Sequence, residues 1–425
     1  MKDYDVIVIG MGLAGLMAAK TSAEEGKSVL LIGKGMGTAH TYTGCIDLLG
    51  YYPSESCLPT ETPFEALNRL VVEAPKHPYA LVGQQDIGEA LTSFLGLFEE
   101  RGYHYLSAGK RNSLTLTPSG YTRPTYLLPS TMEWGGVKDK RDVLIVGFHG
   151  LKDFYGDYIA QSLSSYGREG RLPFRTRSIS LPLSELSPRK TAPSSVVARL
   201  FEDKSFRDAV VEAVKGEQKG EERVAFPAVL GLENPEEVKR ELEAKLETTV
   251  FEIPTLPPSV PGLRLFQAFK RNLQQRGVTI IMGFWVTEAF VRNGRIKQVT
   301  VSRPPIQKTY SAQKYILATG NVFGGGLKAT REKVVEPLFN LPVYGPLSRE
   351  DWFRERFFSD EPHPMRHFGI MVNEQMNPVD EKGRVVVTNL CGAGSIIAHC
   401  NALGEKSGGG VALSTGYKSG KGEVD

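Results

Sequence analysis

The sequence predicts an α/β protein that combines a Rossmann-like nucleotide-binding domain with a large inserted α/β domain. Three observations predict this class. An apolar run at residues 6–9 leads into the glycine pattern Gly10-x-Gly12-x-x-Gly15. Two later strand-like segments end in glycine, at Gly320 and Gly394. The region between is long, and strand and helix patterns alternate along it.

The composition is that of a globular chain. Its 425 residues exceed what one hydrophobic core usually supports, and 41% of them are hydrophobic. With 51 basic and 48 acidic residues the net charge is only +3, and the chain has no dense basic run, which disfavours nucleic-acid binding. The apolar stretch at residues 6–19 is shorter than the roughly 18 residues of a membrane-spanning helix. We therefore expect a cytoplasmic protein.

The cysteines predict neither an iron–sulfur cluster nor a metal site. They form no CxxC pair and no ferredoxin-like spacing. We expect reduced thiols at all four positions, which are Cys45, Cys57, Cys391 and Cys400.

Residues 1–59 are expected to form the first part of the nucleotide-binding domain. The strand at residues 6–9 is followed by a helix at residues 13–25, which stops at Gly26, and by a second strand at residues 28–32. This order is that of a compact βαβ unit with parallel strands.

Residues 60–255 are expected to form the inserted domain, which would serve as a cap over the substrate or as a docking platform. The proline-rich joints LPTETP and IPTLPPSVPG bracket it. Its predicted strands lie at residues 142–148, 176–181 and 223–230, and its predicted helices at residues 153–166 and 235–246.

Residues 256–425 are expected to return to the nucleotide-binding domain. An amphipathic helix after Gly262 leads into the strand VTIIMG and then into KYILATG at residues 314–320. A further strand runs into NLCGAG at residues 389–394, and a last helix begins near Gly408.

The glycine loop predicts a cofactor that carries phosphate. Gly10 permits the tight turn, Gly12 lets a phosphate approach the backbone, and Gly15 lets the helix pack closely on the strand. The N–H groups of the first helical turn, which contains Leu13 and Ala14, add to the helix dipole in attracting an anion. A purely structural turn is the alternative.

Gly33 stands where a dinucleotide-binding unit normally has a carboxylate for the adenosine ribose. Its absence removes a charge-assisted hydrogen bond of about 1.5 to 3 kcal/mol, although a dinucleotide could still bind through its remaining contacts. We expect the next residue, Lys34, either to favour a highly charged group such as the terminal phosphate of a mononucleotide or to be a solvated surface lysine.

A second set of glycines indicates a flavin in particular. In two-domain flavoproteins the last helix directs its N-terminus at the pyrimidine side of the isoalloxazine ring, where negative charge gathers on reduction. Three ordinary glycine-rich turns are the alternative. The predicted contacts in this half of the chain are Gly320, Gly394, Ser395, Gly408, Gly409 and Gly410.

Six segments resemble one known family, the B subunits of the anaerobic glycerol-3-phosphate dehydrogenases, which have a glutathione-reductase-type flavin-binding domain. The segments span nearly the whole chain, and the proline-rich and HPY segments are the most specific. They are GMGLAGLMAA at 10–19, HTYTGCIDLL at 40–49, EAPKHPYALVG at 73–83, PTLPPSVPGLRL at 254–265, LATGNVFGGGL at 317–327 and GGGV at 408–411.

The resemblance implies a flavin-dependent redox subunit that oxidises sn-glycerol 3-phosphate to dihydroxyacetone phosphate and passes electrons towards membrane quinone. It implies two partners, an A subunit that carries FAD and an iron–sulfur C subunit through which the membrane is reached. It also implies FMN in this subunit, which would explain Gly33 because a mononucleotide has no adenosine ribose. FAD is the alternative.

Candidate catalytic residues are predicted from the chemistry of alcohol oxidation. The hydroxyl proton needs a base, the hydride needs a path to flavin N5, and a substrate phosphate needs cationic partners. The candidates are His40, His77, Arg264 and His367, and for each of them a satisfied structural or surface side chain is the favoured alternative.

The segment at residues 40–47 has two interpretations. Its small hydroxyl residues, with Thr43 beside Gly44, could line the ribityl chain and pyrimidine edge of a flavin. Alternatively, Thr43 caps a helix whose first turns contain Asp47.

Two other functions stay open at this point. The fold hosts many substrates, so one alternative is a free-standing flavin dehydrogenase or oxidase of another small hydroxy or amino acid. The other is a non-catalytic adaptor subunit, against which the three intact glycine motifs argue.

Overall fold

A computed structural model describes residues 2–56, 58–98, 103–168, 172–183, 191–359 and 361–422. The chain folds into two compact units. The first comprises Met1–Thr38, Asp47–Leu97 and Phe266–Asp425, and the second comprises Ala39–Ile46 and Phe98–Leu265.

The helices and strands follow one another along the chain in three stretches. The first stretch contains β1 (Lys2–Ile9), α1 (Leu13–Glu24), β2 (Val29–Gly33), α2 (Pro63–Glu73), α3 (Pro78–Val82) and α4 (Gln84–Leu95). The second contains β3 (Tyr105–Ser107), β4 (Ser113–Leu116), β5 (Thr122–Thr125), β6 (Leu127–Pro129), β7 (Val143–Phe148), α5 (Gly156–Arg168), β8 (Thr176–Leu181), α6 (Ser194–Leu200), α7 (Lys204–Glu217), β9 (Arg223–Pro227), α8 (Pro235–Leu246) and β10 (Thr249–Ile253). The third contains α9 (Val260–Gln275), β11 (Thr279–Met282), β12 (Trp285–Arg292), β13 (Arg295–Arg303), β14 (Ile306–Leu317), β15 (Lys328–Ala329), β16 (Val334–Val335), β17 (Val343–Tyr344), β18 (Gly369–Ile370), β19 (Leu390–Gly392), α10 (Ala402–Glu405) and α11 (Gly408–Gly420).

The first unit is built on a seven-stranded sheet in the order β11-β2-β1-β14-β13-β12, with β19 paired to β14. Strands β2, β1 and β14 pair in parallel, and Ile7, Leu30 and Ile316 at their centre are fully buried. Burial on both faces explains why these strands read as continuous apolar runs rather than as alternating patterns.

Helices α1 and α11 pack against each other in parallel through small residues. A side-chain carbon added to Gly416 would lie 2.4 Å from the carbonyl oxygen of Ala14, and one added to Gly420 would lie 2.6 Å from that of Ala18. This register places the start of α1 opposite the second half of α11. The first turns of α11 therefore extend about 10 Å beyond the start of α1, at a rise of about 1.5 Å per residue.

Helices α2 to α4 belong to the first unit, whereas the sequence pattern placed residues 60–255 in an insertion. Lys418 in α11 donates hydrogen bonds to the Val82 carbonyl at 3.0 Å and to Asp86 at 2.8 Å. The ring of Phe94 packs on that of Phe269 with centroids 6.2 Å apart. The observed boundary thus lies at Leu97 rather than at residue 60, because the apolar faces of these helices are buried by distant parts of the chain.

The second unit contains a four-stranded parallel sheet in the order β10-β9-β7-β8. All of β7 is buried, and its neighbours in the core include Ile159 of α5, Val214 of α7 and Leu242 of α8. The predicted strands and helices of this region are found, β8 and α8 with the predicted bounds and β7 and α5 with shifted ends. The predicted strand at 223–230 is shorter and ends at Pro227.

Two expectations about the whole chain concern membranes and thiols. No helix within the described residues is both long and apolar enough to cross a bilayer. Cys45, Cys391 and Cys400 are free thiols, and Cys57 lies outside the described residues.

Candidate functional site

The loop between β1 and α1 has the geometry of a phosphate cradle. A side-chain carbon on Gly10, whose φ is +117°, would lie 2.1 Å from the Ala318 carbonyl oxygen, and one on Gly15 would lie 2.0 Å from the Gly10 carbonyl oxygen. A carbon on Gly12 would meet no protein atom within 4 Å. Gly12 is also the residue that precedes α1, and it offers no side chain to cap the helix. The N-terminal N–H groups of α1, at Leu13 and Ala14, are thus available to an anion approaching over Gly12.

Gly33 has a packing explanation that does not depend on the cofactor. It is the last residue of β2, and a side-chain carbon there would lie 2.6 Å from Cβ of Met11. Any larger residue would therefore push the strand away from the glycine loop. The next residue, Lys34, is exposed, and its Nζ lies 5.5 Å from the centroid of the Trp285 ring. Gly33 therefore does not discriminate between a mononucleotide and a dinucleotide.

The ends of β14 and β19 converge on the same loop. Gly320 has φ +80°, and the position of a side-chain carbon on it lies 3.6 Å from Oγ of Ser395. Gly394 has φ +77°, packs against Ala14 and donates its N–H to Thr415 of α11 at 2.8 Å. Among the described residues, the buried Oγ1 of Thr319 has no hydrogen-bond partner. An orphaned buried hydroxyl beside glycines with left-handed backbone fits an edge that receives a ligand.

Helix α11 begins with three glycines, as predicted, and one of them has a steric reason. A side-chain carbon on Gly410 would lie 2.2 Å from Oη of Tyr79, whose hydroxyl donates to the Leu48 carbonyl at 2.6 Å. The first turn, with Gly408 and Gly409, contains no acidic side chain. It therefore keeps the positive end of the helix dipole that a reduced flavin ring requires.

His77 forms a buried hydrogen bond with Glu405 just before α11. The Nε2 to Oε2 distance is 3.2 Å, and the two side chains are 2% and 8% exposed. Nδ1 of His77 accepts the Tyr79 N–H at 3.1 Å, so in the neutral ring the proton lies on Nε2 and is donated to Glu405. Both ring nitrogens of His77 thus have a partner, which fixes the orientation of the ring.

Glu405 is ionised in this setting. Burial opposes its ionisation, but hydrogen bonds from His77, from the Ser407 hydroxyl at 2.6 Å and from the Asn401 N–H at 3.0 Å outweigh it. Together they lower the pKa of Glu405 to about 2. The carboxylate therefore carries a full negative charge at neutral pH.

Cys400 completes a group of potential metal ligands with His77 and Glu405, whose ligand atoms all lie within 4.8 Å of one another. The hydrogen bonds favour another interpretation. A metal-bound histidine donates its second ring N–H, whereas Nδ1 of His77 accepts one. Burial and the Glu405 charge raise the pKa of Cys400 well above its usual value. The thiol therefore stays protonated and donates to Glu405 at 3.5 Å.

His367 lies close to this pair, as its electrostatic interactions with Glu405 and His77 indicate. It is half-buried, and burial lowers its pKa, with the Glu405 charge acting in the opposite direction. The structure thus brings together two of the four candidate catalytic residues in the first unit.

His399 is a further histidine of this group that no sequence pattern indicated. Its N–H donates to the His367 carbonyl at 3.0 Å, and its ring centroid lies 4.0 Å from that of Tyr344. Its φ is +67°, a left-handed conformation that is uncommon outside glycine. Burial, the Lys76 charge and the other two histidines lower its pKa to about 4. Its place shortly after the CGAGS segment is visible in the sequence, but its backbone conformation is not.

The remaining candidates lie in the second unit. His40 is exposed, and its carbonyl accepts the Ser259 N–H at 2.8 Å. Arg264 is buried and donates to both oxygens of Glu252, at 2.7 and 2.8 Å, and to the Gly231 carbonyl at 2.8 Å. Its guanidinium is therefore committed to internal partners, and we no longer assign it to a substrate phosphate.

Thr43 and Gly44 do not begin a helix, so that interpretation of residues 40–47 is wrong. The Thr43 hydroxyl accepts a hydrogen bond from Arg123 at 2.7 Å. Gly44 has φ +89° and packs against Pro261, and its carbonyl accepts the Tyr105 hydroxyl at 2.8 Å. Ile46 then pairs with Leu127 in an isolated bridge, which takes the chain into extended rather than helical structure.

The parallel sheet, the open glycine loop and the second glycine set define a flavin-dependent oxidoreductase. The chain matches the FAD binding domain family over residues 5–411. It is 33% identical to the B subunit of the probable anaerobic glycerol-3-phosphate dehydrogenase of Halobacterium salinarum, over 98% of this chain and 97% of the relative. The corresponding B subunits of Pectobacterium atrosepticum and Vibrio cholerae are 32% and 30% identical over 96% and 98% of this chain, and over 96% and 95% of their own.

The chain therefore belongs to the FAD binding domain family and, within it, to the B subunits of the anaerobic glycerol-3-phosphate dehydrogenases. It is a flavin redox subunit. The expectation of FMN is not supported, since the family is one of FAD-binding domains and Gly33 is explained by its contact with Met11.

Two solved structures align with the chain at low sequence identity. The 3-ketosteroid delta1-dehydrogenase from Sterolibacterium denitrificans aligns over 99% of both chains with 11% identity and a TM-score of 0.46. A flavocytochrome c3 fumarate reductase aligns over 99% of this chain and 78% of its own, with 8% identity and a TM-score of 0.43.

Proposed function

We propose that this chain binds FAD, oxidises sn-glycerol 3-phosphate to dihydroxyacetone phosphate and passes the electrons to partner subunits towards membrane quinone. The observation that carries the proposal is its similarity, over nearly the full length of both chains, to proteins named as B subunits of anaerobic glycerol-3-phosphate dehydrogenases.

The cofactor site in this proposal lies along the carboxyl edge of the first-unit sheet. The N-terminus of α1 would hold the pyrophosphate over Gly12, and the N-terminus of α11 would face the pyrimidine edge of the ring. A bound flavin would supply the acceptor for a hydride from the substrate carbon. The assigned contacts are Gly10, Gly12, Leu13, Ala14, Gly15, Gly320, Gly394, Ser395, Gly408, Gly409 and Gly410.

The substrate site in this proposal is the group formed by His77, His367 and His399. Lys76 and Arg366 place two exposed positive charges beside it, as their effects on the histidine pKa values indicate. These cations suit the phosphate of glycerol 3-phosphate, and the hydrogen bond to Glu405 fixes the orientation of the His77 ring.

Partner subunits enter the proposal because the electrons must leave the chain. The sequence has no CxxC pair and no ferredoxin-like cysteine spacing. A FAD-containing A subunit and an iron–sulfur C subunit are the proposed partners, and the membrane would be reached through them.

The test is an anaerobic reaction of the FAD-loaded chain with glycerol 3-phosphate, followed by the flavin absorbance. We expect the flavin to bleach with glycerol 3-phosphate and to stay oxidised with glycerol, which lacks the phosphate. Dithionite serves as the control for a flavin that can be reduced. If dithionite bleaches the flavin and glycerol 3-phosphate does not, even with the A subunit present, the proposed substrate is wrong.

A further inference from the structure

His399 combines three features that a structural histidine rarely combines. Its backbone is left-handed, its ring packs at a tilt of 45° against that of Tyr344, and its Nε2 is buried without a hydrogen-bond partner among the described residues. A buried ring nitrogen left unpaired costs free energy, and so does the backbone conformation. When two such free-energy costs occur in one residue beside the proposed substrate site, they indicate a functional role for that residue.

The surroundings of His399 keep its ring neutral. Lys76 on the segment before α3, His367 on the segment that precedes β18 and His77 all disfavour a positive charge on it, in addition to burial. The centroid of the Tyr344 ring, in β17, lies 4.0 Å from that of the His399 ring. In the neutral tautomer that carries its proton on Nδ1, Nε2 is a hydrogen-bond acceptor. Glu405, in contrast, is occupied by His77, Ser407 and Asn401.

We propose that Nε2 of His399 accepts the hydroxyl proton of the substrate alcohol, which makes His399 a catalytic residue of this site. This inference rests on the proposed function. In the step, the O–H bond breaks and its proton moves to Nε2. The C–H bond breaks and the hydrogen leaves with its electron pair, for which a bound flavin would supply the acceptor. The carbon–oxygen double bond of the ketone forms from the O–H electron pair.

The substrate itself would make this transfer favourable. Its phosphate dianion, held near Lys76, cancels the positive charge that disfavours protonation of His399. Nε2 is buried in the structure, so a neighbouring side chain must move for the hydroxyl to reach it, and Tyr344, with its ring centroid 4.0 Å away, is the candidate. Tyr344 is 42% exposed, so part of its surface borders solvent rather than protein.

The first experiment uses His399→Asn, because asparagine tolerates the left-handed backbone and removes Nε2. The FAD-loaded variant is mixed anaerobically with glycerol 3-phosphate. We expect flavin reduction at saturating substrate to slow by about 100-fold or more, which is the usual contribution of a general base. Flavin content and the KM for glycerol 3-phosphate should change little. His149→Gln, at an exposed histidine in the second unit, is the matched control.

A second variant, His399→Gly, keeps the backbone unstrained and empties the space beside Tyr344. We expect added imidazole to restore at least about tenfold of the lost rate in this variant and to leave His399→Asn unchanged. A merely structural histidine would show no such rescue.

A third measurement does not depend on turnover. In the flavin-free chain with isotope-labelled histidine, the resonance missing from His399→Asn identifies His399. Its pKa is expected to lie near 4 in the free protein and to rise when glycerol 3-phosphate is added.

The outcomes separate the inference from the function on which it rests. If the wild-type flavin is reduced by glycerol 3-phosphate and His399→Asn reacts within about threefold of it, the inference fails and the proposed function stands. The inference also fails if the pKa of His399 does not change when glycerol 3-phosphate is added. If the wild-type flavin is not reduced at all, the proposed function is wrong, and so is this inference, which rests on it.

Discussion

Two buried carboxylates, one in each unit, each have a nitrogen-containing side chain as partner and differ in what surrounds them. In the first unit Glu405 is paired with His77, and in the second Glu252 is paired with Arg264. Both carboxylates are almost completely buried. Both pairs contain a residue that sequence reasoning offered as a catalytic candidate.

The difference lies in the residue beside each pair. Arg264 donates to both oxygens of Glu252, whose remaining capacity is taken by the Thr131 hydroxyl at 2.6 Å and the Leu230 N–H at 2.8 Å. The His77–Glu405 pair instead adjoins His399, whose Nε2 has no partner among the described residues. An unpaired polar atom alone does not distinguish the two pairs, because the buried hydroxyl of Tyr103, whose ring centroid lies 5.5 Å from the Arg264 guanidinium, also has no hydrogen-bond partner among the described residues. The His77 pair differs because the unpaired nitrogen beside it belongs to a residue with left-handed backbone.

Removing Arg264 should have the largest effect on stability. Arg264→Met leaves Glu252 buried without its counter-charge, which we expect to cost about 3 to 5 kcal/mol in the free energy of unfolding. Replacing both partners, in Arg264→Met with Glu252→Leu, should recover most of the loss. Urea unfolding of the three chains measures this. A catalytic role for Arg264 would be restored if Arg264→Met kept its stability and lost the reaction with glycerol 3-phosphate.

Glu405→Gln should lower the free energy of unfolding by somewhat less than Arg264→Met, and the size of this loss should depend on pH. The pKa of Glu405 falls from 4.5 to about 2 on folding, which corresponds to about 3 kcal/mol of stability. A lowered carboxyl pKa contributes stability above the unfolded value and loses it as the pH falls through the folded value. The stability difference between wild type and Glu405→Gln should thus be constant above about pH 5 and shrink towards pH 2.

The measurement is chemical unfolding of both chains across that range. A difference that stays the same at low pH would mean that Glu405 is not ionised in the folded protein, and the contrast with the closed Arg264 pair would lose its basis.

Two glycines near the proposed flavin site also differ in their surroundings: Gly33 is packed against protein, and Gly12 is open. Gly33→Ala should cost about 1 to 3 kcal/mol, because its methyl group would lie 2.6 Å from Cβ of Met11. Gly12→Ala should leave the flavin-free chain equally stable, since its methyl group meets no protein atom, and should weaken flavin binding. Thermal unfolding and flavin titration of the two variants check this. Unchanged flavin affinity in Gly12→Ala would place the cofactor elsewhere.

Replacing Lys34 should have the smallest effect on the free energy of unfolding. Its exposed ammonium group stands over Trp285, a contact of about 0.5 to 1 kcal/mol, so Lys34→Met should change the free energy of unfolding by no more than this. Flavin affinity measured in parallel shows whether Lys34 also reaches the cofactor. A loss above about tenfold would mean that it does.

The parts of the fold that depend on local patterns could be predicted from the sequence. The βαβ unit and its glycine loop follow from the apolar run at residues 6–9 and from Gly10, Gly12 and Gly15. Helix α8 could be predicted to the residue because Pro235 begins it and apolar residues repeat along one face. Such features depend only on neighbours in the chain.

Features that depend on distant contacts could not be predicted. The assignment of α2 to α4 to the first unit depends on Lys418 and Phe269, which lie far along the chain. The interpretation of Gly33 as a mark of FMN overlooked its contact with Met11. Arg264 and His77 were indistinguishable as candidates until their partners were known. His399 was missed because neither its left-handed backbone nor its unpaired nitrogen is visible in the sequence.

The most direct measurement is to release the flavin from the purified, denatured chain and identify it by chromatography and mass. FAD in a ratio near one per chain is the expected result, because Gly33 packs on Met11 and says nothing against an adenosine ribose. FMN would contradict the proposed cofactor and would support the interpretation that Gly33 replaces a carboxylate because a mononucleotide has no adenosine ribose. A chain that retains no flavin after reconstitution with FAD would contradict the redox function itself.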